Sequence, residues 1–101
     1  MSFLHTEMRA PQARHVTTTE TDLAVDLADG RRIVVPLAWY PRLLHATPRE
    51  RCRTELIGHG DGIRWPDLDE DVSVENLLLG RQSQESEPSL LRWIADRKAT
   101  P

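Results

Sequence analysis

A chain of 101 residues has room for one small domain, with a core of limited size and marginal stability. Apolar side chains make up 39% and aromatics 5%, so Trp39, Trp65 and Trp93 are expected to supply much of the large buried area. A net charge of −3 argues against wholesale polyanion binding, and the lone Cys52 excludes an internal disulfide or a cysteine-based zinc site.

No window reaches membrane-spanning length, and the opening lacks a basic segment followed by an apolar one. The expected setting is cytoplasmic, reducing and without membrane contact. Nine basic and eight acidic side chains precede residue 67, against four and eight from there on, so the C-terminal third is mildly acidic.

In chain order, residues 1–12 read as an arm punctuated by Pro11. The β-branched run ARHVTTTE (13–20) predicts a first strand. TDLAVDLADGRRIVVPLAWYP then predicts a hairpin. Leu23, Val25 and Leu27 alternate with polar or small residues, as do Ile33, Val35 and Leu37. A two-residue turn would put the two apolar sets on opposite faces. A three-residue loop, Ala28-Asp29-Gly30, sets Val25 opposite Ile33 and needs a left-handed third residue, which Gly30 supplies. Pro36 cannot donate to a ladder, so its nitrogen must face an unpaired side or a bulge.

Two short helical pieces follow, the second opened by the capping box Thr47-Pro48-Arg49-Glu50. ELIGHGDGIRWP (55–66) predicts a tight hairpin with His59-Gly60-Asp61-Gly62 at its tip. Ile63, Trp65 and one of Leu56 or Ile57 should face inward. In DEDVSVENLLLG, Ser73 is the expected N-cap, Val72 staples to Leu77, and Gly80 ends the helix. The four acids Asp67, Asp69, Glu70 and Asp71 then lie at a helix entrance, where the dipole favours negative charge. Residues 81–87 read as a polar linker. From Pro88 a short amphipathic helix begins, with Leu90, Leu91, Ile94 and Ala95 on one stripe and Trp93 at its border.

Chemistry-bearing patterns are sparse. Asp67, Asp69 and Asp71 match the first, third and fifth positions of a calcium loop. Val72 stands where the glycine is required, however, and Leu78 where the bidentate acid belongs. His5, His15, His45 and His59 show no ligand spacing, although glycines around His59 suggest a weak anion nest. No nucleophile elbow, phosphate loop or dinucleotide fingerprint occurs. No metal, cofactor or catalytic residue is expected, and an enzyme is disfavoured. Arg42, Arg49, Arg51 and Arg53 form a local basic patch near Trp39 and Tyr40. The C-terminal stripe would not be stable alone in water and needs a surface, its own or a partner's.

Together DGRRIVVPLAWYPRLLHATPRERC and GIRWPDLDEDVSVENLL resemble the bacterial family called domain of unknown function 2442, over roughly residues 13–80. The resemblance implies a small α+β domain of antiparallel strands and short helices, with no established activity and no catalytic residue to carry over. It also implies a genetic setting beside another small protein, much like a toxin–antitoxin pair. Some longer members append a helix-turn-helix, for which the residues after Gly80 are too few here, so the resemblance does not imply direct operator binding.

The expected architecture is one antiparallel sheet of four to five short strands with two to three short helices. The leading functional expectation is a non-enzymatic protein-interaction module, the antitoxin-like partner of a small bacterial protein, with that neighbouring protein or a second copy of the chain as the partner. It would bury Trp39, Tyr40, Leu90, Leu91, Trp93 and Ile94 against that partner. The alternative is a nucleic-acid-associated transcriptional regulator using Arg42, Arg49, Arg51 and Arg53.

Overall fold

In the computed structural model, which describes residues 10–99, two three-stranded antiparallel sheets follow one another along the chain. The first holds β1 (Ala13–Thr18), β2 (Asp22–Leu27) and β3 (Arg32–Pro36), and the second β4 (Glu55–Ile57), β5 (Gly62–Trp65) and β6 (Glu70–Ser73), each in sequence order. Helices α1 (Pro41–Leu44) and α2 (Pro48–Cys52) bridge the sheets. Helix α3 (Val74–Leu78) follows β6, and α4 (Glu87–Ala99) closes the described residues. The class is α+β, with six strands in two sheets where four or five in one were expected.

The first hairpin has the register that the apolar alternation requires. Val25 faces Ile33, Leu23 faces Val35, and Leu27 N–H donates to the Arg31 carbonyl at 2.8 Å. Gly30 takes φ +94° at the third loop position. Leu37 N–H donates to the Thr21 carbonyl at 2.8 Å, so residues 21 and 37 form a hydrogen-bonded pair. Alternation then turns the nitrogen of Pro36, opposite Asp22, to the open edge of β3.

One core joins both sheets. Leu23, Val25, Leu27 and Val35 meet Ile63, Trp65 and Val72, and Leu37, Leu43, Leu68, Val74 and Leu77 fill the space between. Trp65 is wholly buried, and its indole N–H donates to the Arg51 carbonyl at 3.0 Å. The capping box forms as the sequence predicts. Glu50 N–H donates to Thr47 Oγ1 at 3.1 Å, and Thr47 N–H donates to Glu50 Oε1 at 2.8 Å. Ser73 caps α3 by accepting from Asn76 N–H at 3.0 Å.

Two expectations need correction. Leu56 and Ile57 are 44% and 41% exposed, as β4 is a three-residue strand at the sheet edge, exposed at every position. The acids of residues 67–71 do not sit at the helix entrance. Asp67 and Asp69 belong to the turn that joins β5 to β6, and Glu70 and Asp71 pair with Trp65 and Arg64 as part of β6. Only Glu75 lies in the first turn of α3. Pairing with β5 overrides the helical reading because it buries Val72 opposite Ile63.

Candidate functional site: the C-terminal strap and the cavity beside it

The strap begins where α3 ends. Gly80, at φ +73°, donates its N–H to the Leu77 carbonyl at 3.1 Å, and Arg81 N–H donates to the Asn76 carbonyl at 2.9 Å. These two bonds form a Schellman cap, which reverses the chain. Residues 81–85, expected as a linker, therefore lie against the body. Ser83 N–H donates to the Trp39 carbonyl at 3.0 Å, and the Tyr40 hydroxyl donates to the Arg81 carbonyl at 3.0 Å.

Arg42 fixes the strap to the turn beneath it. Its Nε and Nη2 donate to the two oxygens of Glu85 at 2.9 and 2.6 Å, while Nη1 donates to the Leu68 and Asp69 carbonyls at 2.9 and 3.3 Å. Both side chains are largely enclosed, at 16% and 11% exposure, where a forked pair is stronger than on the open surface. Ser89 of α4 adds a hydroxyl bond to Glu85 at 2.8 Å.

Helix α4 is then held through one aromatic ring. The guanidinium carbons of Arg42 and Arg97 lie 5.1 and 4.6 Å from the Trp93 ring centroid, so the indole has two cation–π partners. Arg97 also forks onto Glu50, with Nη1 to Oε2 at 2.9 Å and Nη2 to Oε1 at 2.8 Å. These bonds, helped by the Thr47 N–H, hold the Glu50 carboxyl down at about 2. The inward stripe is therefore Leu90, Trp93, Ile94 and Arg97, at helical spacing, with Leu91 turned outward at 56% exposure.

The residues expected to meet a partner divide accordingly. Tyr40 is buried, at 4% exposure, and Trp39 and Trp93 pack against the core. The expected exposed Trp39/Tyr40 surface is corrected, because the 3-10 turn Leu37–Trp39 swings Tyr40 beneath the strap. Leu90 and Ile94 are half-buried, and Leu91 is open.

The four arginines do not form one basic face. Arg42 serves Glu85, Arg53 donates to Asp67 at 2.8 Å, and Arg51 donates to the carbonyls of Leu43 and Ala46 at 2.9 Å each. Neither Arg49 nor Arg51 makes an ion pair among the described residues. His15, His45 and His59 are exposed, and His5 lies outside the described residues. No group of three or more histidine, cysteine or acidic side chains is placed to hold a metal among the described residues.

Between β6, the start of α3 and residues 81–84 lies a cavity of about 210 Å³, bordered by Tyr40, Glu70, Ser73, Asn76, Arg81 and Gln84. Glu70 reaches it for a reason of period. It shares a strand face with buried Val72, while Asp71 points outward and accepts from Arg64 Nη1 at 2.8 Å. Burial pushes the Glu70 carboxyl up to about 7, with Glu85, Asp71 and Asp69 adding to the rise and Arg42 opposing it. Burial also raises the Tyr40 hydroxyl, with help from Glu70. Glu85 and Arg97 sit in stretches that read as polar linker and helix surface. Glu70 would have stood out had the strand period been applied to residues 70–73.

The sequence profile described as "Protein of unknown function (DUF2442)" matches residues 13–83. The chain belongs to the DUF2442 family. A crystal structure of a protein of unknown function from Rhodospirillum rubrum is similar, with 26% identity and a TM-score of 0.66 over 76% of this chain and 95% of that one. The solution structure of an uncharacterised protein from Chromobacterium violaceum has 26% identity and a TM-score of 0.64, over 98% of this chain and 85% of that one. That second likeness is long enough to take in α4. No curated protein matches the chain. No described helix of this DUF2442 protein is long and apolar enough to cross a membrane.

Proposed function

We propose that this DUF2442 protein is a non-enzymatic, cytoplasmic protein-interaction module whose partner is a small bacterial protein, in an antitoxin-like pairing. The observation that carries the reading is the outer face of α4. The helix is fastened to the body through Trp93, Arg97 and the Glu85–Ser89 contact, and its remaining large apolar side chain, Leu91, projects at 56% exposure. Leu90 and Ile94 flank it and are half-buried. A thirteen-residue helix has little stability of its own in water, so a mount that leaves Leu91 uncovered presents it to a groove on another chain. The partner surface that fits is apolar at its centre, with groups of both signs around it, since Glu87, Arg92, Asp96 and Lys98 are all exposed on the same helix.

The test is co-purification with the product of the adjacent gene, using the full chain, Leu91→Glu, and a chain ended after Ser83. The full chain should retain the partner, and Leu91→Glu should lose it at least tenfold without losing its fold. Equal recovery by all three would remove α4 from the interaction, and no complex with the full chain would remove this partner.

A further inference from the structure

We infer that the cavity between β6, the start of α3 and residues 81–84 binds a small organic cation, an alkylammonium or a guanidinium group, with the Glu70 carboxylate as its counter-ion. The inference is independent of the surface offered by α4. It begins from an imbalance among the acids around the turn. Asp67 accepts from Arg53, Asp69 and Asp71 accept from Arg64, and Glu85 accepts from Arg42. Glu70 is more enclosed than Asp67, Asp69 or Asp71, yet its carboxylate has no hydrogen bond and no ion pair within 4.0 Å among the described residues. With no protein donor aimed at it, its hydrogen bonds must come from water or a ligand in the cavity.

Arg42 is the cation whose field reaches Glu70, but its N–H groups are directed at Glu85, Leu68 and Asp69. Three like charges act on Glu70, Glu85 from the strap and Asp69 and Asp71 from the turn and β6. The fold therefore leaves a negative charge with a donor deficit on the wall of a cavity. A perturbed acid on the wall of a cleft is a mark of a binding site.

The surroundings fix the ligand class. Acceptors flank the carboxylate: the Tyr40 oxygen keeps its lone pairs after donating to the Arg81 carbonyl, and Ser73 Oγ, which accepts from Asn76 N–H, also borders the cavity. Arg81 at the rim directs one N–H to Asn76 Oδ1 at 3.4 Å and none to Glu70. Val72 and the Tyr40 ring give apolar wall for a short alkyl stem. The volume of about 210 Å³ admits a ligand of a few heavy atoms and is below the usual range for drug-sized molecules. A metal ion is a poorer fit, since Asp69 and Asp71 are already held by Arg64.

The test titrates isotope-labelled full-length protein with n-propylammonium, and with propionate as the matched anion, up to on the order of 100 mM. Propylammonium should move the backbone amides of residues 70–76 and 81–84, and propionate should not. The cation must displace the proton that Glu70 holds near neutrality, so affinity should rise about tenfold from pH 5 to 6 and level off above 7. Glu70→Gln should abolish the shifts, while Asp67→Asn, outside the cavity and paired with Arg53, should leave the affinity within about twofold. In the unsubstituted protein, the Glu70 carboxyl resonance should titrate at lower pH once propylammonium saturates, which needs no variant to fold. Equal shifts from propionate, binding that survives in Glu70→Gln, an unmoved Glu70 titration, or no shifts at all would each overturn the assignment.

Discussion

Two glycines show how residue-scale effects separate in this chain. Gly30 and Gly60 both hold positive φ, at +94° and +105°, so any side chain is strained at either site. Their surroundings differ. A Cβ at Gly30 would meet nothing within 4 Å, whereas one at Gly60 would lie 2.6 Å from the Ala13 carbonyl oxygen and 3.0 Å from Gln12 Cβ. Gly30→Ala should therefore cost about 1 kcal/mol, the strain alone. Gly60→Ala should cost about 3 kcal/mol or more, since β1 must move away from the second hairpin. Urea unfolding of the two variants beside the parent decides the matter, and equal losses would mean that the contact between residues 12–13 and the hairpin tip is slack. Gly30 is legible in the sequence because the loop length follows from the apolar alternation. Gly60 is not, because its neighbour Ala13 is far away in the chain.

At the scale of elements, legibility follows how local the deciding interaction is. The first hairpin, the Thr47 capping box and the Ser73 cap can be read from residues a few positions apart, and all three form. β6 is hidden because Asp69-Glu70-Asp71 next to Ser73 has the composition of a helix start, and only pairing with β5 makes a strand of it. The face of α4 is hidden too. Hydrophobicity alone groups Leu90, Leu91 and Ile94, but the helix is oriented by Trp93 between two guanidiniums and by the Arg97–Glu50 fork, groups that no apolar count weighs. That orientation carries a test. Trp93→Ala removes the ring on which both cations rest, so α4 should detach while the two sheets persist. Amide exchange in residues 87–98 should accelerate toward the unfolded rate, with core amides of β2 and β5 slowed as before. Arg97→Gln should give the same pattern more weakly, because Arg42 remains on the ring. Unchanged exchange in α4 of the Trp93 variant would mean that Leu90 and Ile94 hold the helix unaided.

For the whole molecule, the two oppositely displaced carboxyls set the dependence of stability on pH. Glu50 has its carboxyl lowered from 4.5 to about 2 by Arg97 and the Thr47 N–H. The fold thus favours its ionised form, and that stabilisation is complete above about 4.5 and lost as pH falls toward 2. Glu85, lowered by Arg42, likewise loses its contribution as pH falls. Glu70 runs the other way: burial raises it from 4.5 to about 7, so the fold favours the protonated form. Its contribution is present below about 4.5 and lost as pH climbs to 7. Stability should therefore peak near pH 4–5, where Glu50 is ionised while Glu70 still keeps its proton. From there to pH 8 the decline should be on the order of 2 kcal/mol, somewhat below the full equivalent of the displacement because solvent reaches part of the carboxyl. Glu70→Gln, neutral at every pH, should flatten the neutral limb and leave the acid limb in place. Glu50→Gln should do the reverse and also loosen α4. Urea midpoints measured from pH 3 to 8 on the parent and the two variants give the answer. A parent profile level from pH 5 to 8, or a Glu70→Gln profile that still declines there, would show that this carboxyl is solvated in the folded protein and ionises without penalty.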